Sequence, residues 1–168
     1  PVSETGMALM QQAKSRWAKT LGVQAFELGF GPSTTQNIYV LAQAFAAMLQ
    51  PGDEVIVTSQ DHESNIGSMV RALEAAGVTI RFWHPEAEFG LLQTEDLAAL
   101  LSEKTRLVCF PHASNITGQK NPAAEIVQLA KTVGAYTLVD GVSYAPHALP
   151  DVSELGADIY VFSLYKIM

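Results

Sequence analysis

The chain has 168 residues, of which 48% are hydrophobic and 16% charged, and its formal net charge is −7. These values are typical of one globular domain with a sizeable core, and they argue against a disordered tail, a nucleic-acid-binding surface and a membrane span. The single cysteine, Cys109, excludes an internal disulfide and, with no signal-peptide pattern at the start, predicts a cytoplasmic protein.

Patterns of helix and strand alternate along the whole chain. The predicted elements are a helix to about residue 20, a strand over 24–30, a helix over 35–49, a strand over 54–59, a helix to residue 75, a strand over 78–83, a helix over 94–101, a strand over 106–110, a helix over 121–133, a strand over 136–139, a helical turn over 152–155 and a strand over 159–162. Ser3 or Thr5, Asp61 and Thr94 are the predicted helix caps.

Six predicted strands joined mostly by helices indicate a three-layer α/β/α fold with a mainly parallel sheet. No internal boundary is visible, so residues 1–168 are expected to form a single domain. In such sheets, ligands bind in the crevice at the carboxyl ends of the strands. The polar residues that directly follow the apolar runs are therefore the candidate ligand contacts.

The last strand ends in Ser163, Tyr165 and Lys166. A partly desolvated lysine at this edge of a sheet loses its proton readily and can form a Schiff base with a carbonyl cofactor. The alternative interpretation is a solvated lysine just past a strand.

Four earlier clusters follow the other predicted strands. Residues 31–35 read either as a phosphate cradle at a helix start or as a simple cap. His62 reads as a ring-stacking group or as part of a capping cluster, and Asn115 as a ligand contact or as loop. Asp140 reads as the partner of a cation or as a turn residue.

Two other kinds of site fit poorly. The histidines, at positions 62, 84, 112 and 147, lack the close spacing of metal ligands, so no metal site is expected. Residues 29–34 lack the third glycine of a dinucleotide fingerprint. A phosphate cradle, a stacking histidine, a carboxylate and a terminal lysine together meet the needs of pyridoxal phosphate.

Four motifs carry a family resemblance: Asp-His-Glu-Ser-Asn at 61–65, His-Ala-Ser-Asn-x-x-Gly at 112–118, Val-Asp-Gly at 139–141 and Ser-Leu-Tyr-Lys at 163–166. With them, the sequence resembles the large cofactor-binding domain of class V aminotransferase-type, fold-type I pyridoxal-phosphate enzymes. It is most similar to the cysteine desulfurase and selenocysteine lyase group, and the resemblance extends from about Phe30 to Lys166.

The resemblance implies a role for each matching residue. Thr34, Thr35 and Ser163 would hold the phosphate, and Lys166 would form the internal Schiff base. His62 would stack on the pyridine ring, Asn115 would bond its phenolic oxygen, and Asp140 would bond its nitrogen. Ser143 stands where relatives often carry Gln or His, and Tyr165 where desulfurases commonly carry His. The implied catalytic residues are Lys166, His62 and Asp140.

The resemblance also implies an enzyme, a lyase or transferase that acts on an amino acid as a homodimer. The family continues past the lysine into a small domain with a carboxylate-binding arginine and, in desulfurases, a loop cysteine. The chain is therefore expected to be truncated after Lys166, and Cys109 to be a buried structural thiol. Two alternatives stay open: a non-catalytic cofactor-binding or structural fragment, and a nucleotide-binding domain.

Overall fold

A computed structural model describes residues 2–167, apart from the side chain of Val2; Pro1 and Met168, the ends of the expected domain, lie outside it. The strands are β1 (Glu54–Thr58), β2 (Thr79–Trp83), β3 (Thr105–Pro111), β4 (Tyr136–Asp140) and β5 (Ile159–Val161). The helices are α1 (Val2–Leu21), α2 (Thr34–Met48), α3 (Glu63–Ala75), α4 (Thr94–Leu100), α5 (Ala123–Thr132) and α6 (Val152–Leu155). Short 3₁₀ turns cover Ala25–Glu27 and Leu164–Lys166.

The five strands form one sheet in the order β2-β1-β3-β4-β5, and every pairing is parallel. Val57 of β1, for example, lies opposite Phe82 of β2 and Cys109 of β3. All five carboxyl ends therefore meet at one edge of the sheet, where polar groups from distant parts of the sequence can gather.

Alternating side chains divide the core between the two faces of the sheet. Val55 and Val57 pack with Ile38 of α2 and Leu73 of α3, while Ile56 packs on the opposite side with Ile126 of α5. Each of these side chains is almost completely buried, and full burial of one such group stabilises a fold by about 1.5–3 kcal/mol. The expected three-layer α/β/α arrangement is confirmed.

The prediction of a strand over 24–30 is wrong. Ala25–Glu27 forms a 3₁₀ turn, which Gln24 and Glu27 close with a reciprocal capping box. Phe26 is 84% exposed, so the apolar residues that indicated a strand have no sheet to pack against. The described sheet therefore has five strands.

The predicted helix caps are also wrong. Ser3 and Thr5 lie inside α1, and the N-caps of α3 and α4 are His62 and Gln93. The hydroxyl of Thr94 instead donates to Glu125 Oε1 on α5, at 2.8 Å. Within residues 2–167, no helix combines the length and apolar character needed to cross a membrane.

Candidate functional site

A cavity of about 290 Å³ lies at the carboxyl edge of the sheet, near the lower end of the sizes usual for small-molecule sites. Every residue that the sequence analysis assigns to the cofactor lines it: Thr34, Thr35, His62, Asn115, Asp140, Ser143, Ser163, Tyr165 and Lys166. These residues come from the start of α2, the start of α3, the loops after β3 and β4, and the segment after β5.

The start of α2 forms one end of the cavity. Ser33 is extended and its hydroxyl accepts from the backbone N–H of Gln36, as an N-cap does. The hydroxyls of Thr34 and Ser163 lie 2.7 Å apart, so one donates to the other, and both residues are buried. The free N–H groups of the first turn and the helix dipole make this end attractive to an anion.

Asp140 lines the cavity at the close of β4. Its Oδ1 accepts from the backbone N–H of Val142 at 2.7 Å, and its Oδ2 accepts from Asn65 Nδ2. Burial raises the pKa of Asp140, since a carboxylate out of water is costly. A cation in the cavity would lower that cost.

Asn65 holds Asp140 in place by a hydrogen bond, and Asp61 holds Asn65 in the same way. The sequence predicted this role for neither residue. Asp61 Oδ1 accepts from Asn65 Nδ2 at 2.9 Å and from the backbone N–H of His62 at 2.7 Å. The carboxylate predicted to cap α3 is instead turned into the core. Burial, and then the charge of Asp140, raise the pKa of Asp61 to about 7. The sequence signal was an Asp four residues before an Asn at the predicted start of a helix, a spacing at which side chains can meet.

His62 caps α3 and presents its exposed ring to the cavity. The backbone N–H of Ser64 donates to His62 Nδ1 at 3.1 Å. Because Nδ1 accepts this bond, the neutral ring carries its proton on Nε2. The helix terminus therefore fixes both the direction and the tautomer of the imidazole.

Lys166 lies in the 3₁₀ turn after β5 and is exposed. Its Nζ is 5.6 Å from the centroid of the Tyr165 ring, and Tyr165 itself is 70% exposed. Asn115 and Ser143 make no side-chain hydrogen bond to any residue within 2–167. Few contacts therefore fix the side chains of these four residues.

His112 belongs to the same sequence motif as Asn115, but its ring does not line the cavity. It stacks on Tyr144 with ring centroids 3.6 Å apart, and its Nδ1 lies 3.0 Å from the hydroxyl of Tyr160. Burial, and then the charge of Lys120, lower the pKa of His112 to about 4, so the ring is neutral. A Cβ on Gly141 would lie 2.2 Å from Tyr160, so this packing requires a glycine there.

Cys109 is 3% exposed in the middle of β3, and burial raises the pKa of its thiol. It is the buried structural thiol that the sequence predicts. In the part of the chain that the structure describes, no three His, Cys, Asp or Glu side chains are grouped as metal ligands.

The sequence model of one protein family, Aminotransferase class-V, matches residues 2–168. The chain belongs to the class-V aminotransferase family. The expected family resemblance is thereby confirmed.

Two curated proteins and one solved structure are similar to this class-V aminotransferase chain. Aminotransferase-like protein FGM3 of Gibberella zeae is 42% identical over 98% of the chain, which covers 41% of that protein. A probable cysteine desulfurase of Halalkalibacterium halodurans is 39% identical over 84% of the chain, and 35% of that protein is covered. A mutant of C-DES, solved with glycine covalently linked to its PLP cofactor, is 26% identical with a TM-score of 0.85; the match covers 96% of this chain and 43% of that one.

The chain thus spans about two fifths of the length of the proteins it resembles.

Proposed function

We propose that this chain binds pyridoxal phosphate and forms the cofactor-binding domain of a cysteine desulfurase-like, class-V aminotransferase-type enzyme that acts on an amino acid. The observation that carries this proposal is the convergence, in one cavity, of an anion-binding helix start, a buried carboxylate and an amine. Pyridoxal phosphate has a phosphate, a ring nitrogen that takes a proton, and an aldehyde, so each of its reactive parts has a partner.

The part of the cavity lined by the hydroxyls of Thr34 and Ser163 suits the phosphate. Thr34 and Ser163 already contact each other and present oxygens to the cavity, and Thr35 follows in the first turn of α2. Hydroxyls donate to phosphate oxygens, and the helix dipole adds a favourable charge interaction of about 0.3–1 kcal/mol. We assign the phosphate to this end.

The part of the cavity lined by Asp140 suits the pyridine ring. Asp140 would bond the protonated ring nitrogen, which offers the cation that the buried carboxylate lacks. His62 would pack on the ring face, and Asn115 and Ser143, whose side chains make no hydrogen bond within residues 2–167, would contact the ring or its substituents. When bound, the cofactor supplies an electron sink for a carbanion at the substrate Cα.

Lys166 provides the amine that attaches the cofactor. Once the substrate amine takes its place, the freed Nζ would accept and return the α-proton of the substrate as a general base. Tyr165, with its ring 5.6 Å from Nζ, would contact the phosphate side of the site.

The attachment is tested by loading the protein with pyridoxal phosphate, reducing it with borohydride and mapping the labelled peptide. We expect an absorbance band before reduction and a pyridoxyl group on Lys166 afterwards, and no specific label in Lys166→Ala. Lys120→Arg is a matched control and should label like the parent protein. A label on Lys120 or Lys131 in place of Lys166 would refute the assignment.

A second candidate function is cofactor binding without turnover. The exposure of Lys166 and Tyr165, in a turn that follows a strand of three residues, favours it. Exchange of the α-proton of alanine or cysteine with D₂O separates the two functions. Exchange above the rate of free pyridoxal phosphate supports an enzyme, and exchange at that rate supports the binding fragment.

The substrate, assembly and location are also proposals. Cysteine is the first amino acid to test, since cysteine desulfurases are among the relatives. Release of alanine would support it, together with sulfide when a dithiol such as dithiothreitol is added to take up the sulfur and reduce it. Among residues 2–167, β5 pairs only with β4, and its other side borders a cleft of about 620 Å³. Its backbone groups can therefore pair with another chain. We propose a homodimer on this ground, and light scattering that finds a well-folded monomer at high concentration would contradict it. The cytoplasmic location stays a prediction.

A further inference from the structure

Asp61, Asn65 and Asp140 form a buried unit at the part of the cavity that Asp140 lines. We call this part the ring end, after the cofactor ring proposed to lie there. Their exposed fractions are 5%, 2% and 6%, and a single nitrogen, Asn65 Nδ2, donates to both carboxylates. Two carboxylates that contact the same atom cannot both be charged at low cost when they are out of water. Within residues 2–167, neither forms an ion pair that would offset the repulsion.

The hydrogen bonds distinguish the two carboxylates. Each oxygen of Asp140 accepts from one N–H, Oδ1 from Val142 and Oδ2 from Asn65. In Asp61, Oδ1 accepts both N–H groups, and Oδ2 accepts none from the described residues. A proton on Asp61 Oδ2 therefore weakens no hydrogen bond among the described residues, whereas a proton on either oxygen of Asp140 would weaken the bond that this oxygen accepts.

The surroundings agree with this assignment. The titratable groups that face the pair are His62 on α3, Cys109 on β3 and Tyr160 on β5, and Lys166 lines the same cavity. Burial raises the pKa values of Cys109 and Tyr160, so both stay neutral. A positive charge on the His62 ring would favour the charged form of Asp140.

We propose that Asp61 is a positioning residue that holds a proton on Oδ2 near neutral pH, so that Asp140 alone carries the buried negative charge. Through Asn65, Asp61 fixes the Asp140 carboxylate without adding a second charge beside it. The use of that single charge, to pair with a protonated ring nitrogen, depends on the proposed function. The proton itself belongs to the cofactor-free protein and is tested there.

Infrared difference spectra of the cofactor-free protein between pH 5.5 and 8.5 test the proposal. The carbonyl band of a protonated carboxylic acid should be present at the lower pH and disappear with a midpoint near 7. Asp61→Asn, which keeps the Oδ1 acceptor, should lack the band. Asp140→Asn should keep it with a midpoint lower by about one pH unit or more, since a neighbouring negative charge is removed.

Glu63→Gln is the matched control, because it removes an exposed carboxylate from the same turn of α3. It should titrate like the parent protein. A band that survives in Asp61→Asn and is lost in Asp140→Asn would overturn the proposal, as would a parent protein with no such band. Should Asp61→Asn fail to fold, carbon NMR of the parent protein with labelled aspartate carboxyls, assigned with Asp140→Asn, gives the same answer: titration of Asp61 near pH 7 supports the proposal, and titration of Asp140 there instead, or of neither, refutes it. Neither measurement uses the cofactor, so the labelling of Lys166 decides the proposed function independently.

Discussion

The two sides of the cavity are built in different ways. At the ring end, Asp140 and Asn65 are buried and hydrogen-bonded to one another. At the lysine end, Lys166 and Tyr165 are exposed in a short turn that follows a strand of three residues. The sheet thus fixes where an acid lies before any ligand arrives, while the amine is held only by its own turn.

Because of this difference, substitutions at the two ends should affect different properties of the protein. Changes at the ring end should alter the free energy of unfolding as well as the cofactor, because they disturb buried groups. Changes at the lysine end should alter the reaction and leave the fold intact, because surface substitutions usually change stability by less than about 0.5 kcal/mol.

The largest effect is expected for Lys166→Ala. Loss of the amine should abolish reducible attachment of the cofactor and slow any α-proton exchange by about 10²–10⁴-fold, the usual contribution of a general base. The melting temperature of the cofactor-free protein should stay within about 1 °C of the parent value, since the side chain is exposed. A large loss of stability would mean that the lysine end is as firmly built as the ring end.

Next comes Asn65→Leu, which removes the amide shared by the two carboxylates. We expect a loss of about 1–3 kcal/mol of unfolding free energy at pH 8, since buried acceptors are left without a donor. The same substitution at Asn115, which is exposed, should cost less than about 0.5 kcal/mol. Urea denaturation of the two cofactor-free variants measures this, and equal losses would remove the contrast between the buried and the exposed residues of the cavity.

A pH effect on stability should follow from Asp61. Its pKa rises from 3.8 in the unfolded chain to about 7 in the folded one, so the folded state binds the proton more tightly. The associated stability is present below pH 4 and is lost as the pH rises from about 4 to about 7, at up to about 1.4 kcal/mol per pH unit. In Asp61→Asn, the melting temperature should fall less between pH 4 and pH 7 than in the parent protein. Glu63→Gln should show the same pH dependence as the parent protein. Parallel profiles for parent and Asp61→Asn would contradict this prediction.

The smallest effect is expected for Thr34→Val, which has nearly the same shape without the hydroxyl. It removes the contact with Ser163 and one donor to the phosphate, so affinity for pyridoxal phosphate should fall about tenfold, or roughly 1.4 kcal/mol. Thr132→Val, on α5 and outside the cavity, serves as the control. Absorbance titration of both variants tests it, and matching affinities would place the phosphate elsewhere.

The lining of the cavity could be predicted because it follows from strand ends. An apolar run that stops at a polar residue, as Ile159–Val161 does before Ser163, marks the edge of a parallel sheet, and the fold brings these edges together. The family motifs supplied the individual roles, which stay predictions for all nine residues that line the cavity.

The rest depended on side-chain directions that a linear pattern does not carry. Asp61 had the residue type and position of a helix cap, yet Asn65 one turn later draws it into the core. His112 and Asn115 share one motif but point to different surroundings, because Tyr144 and Tyr160 offer the histidine a packed site. The strand predicted over 24–30 failed for a similar reason, since no neighbouring strand pairs with it.

The hydroxyl contact between Thr34 and Ser163 has a kinetic consequence. These residues are 129 positions apart, so their contact closes a loop that includes nearly the whole sheet. Such long-range contacts form late in folding, because the entropy of loop closure must be overcome first. The anion-binding end of the cavity is therefore complete only after β5 has docked, and a partly folded chain would be unable to retain a phosphate there.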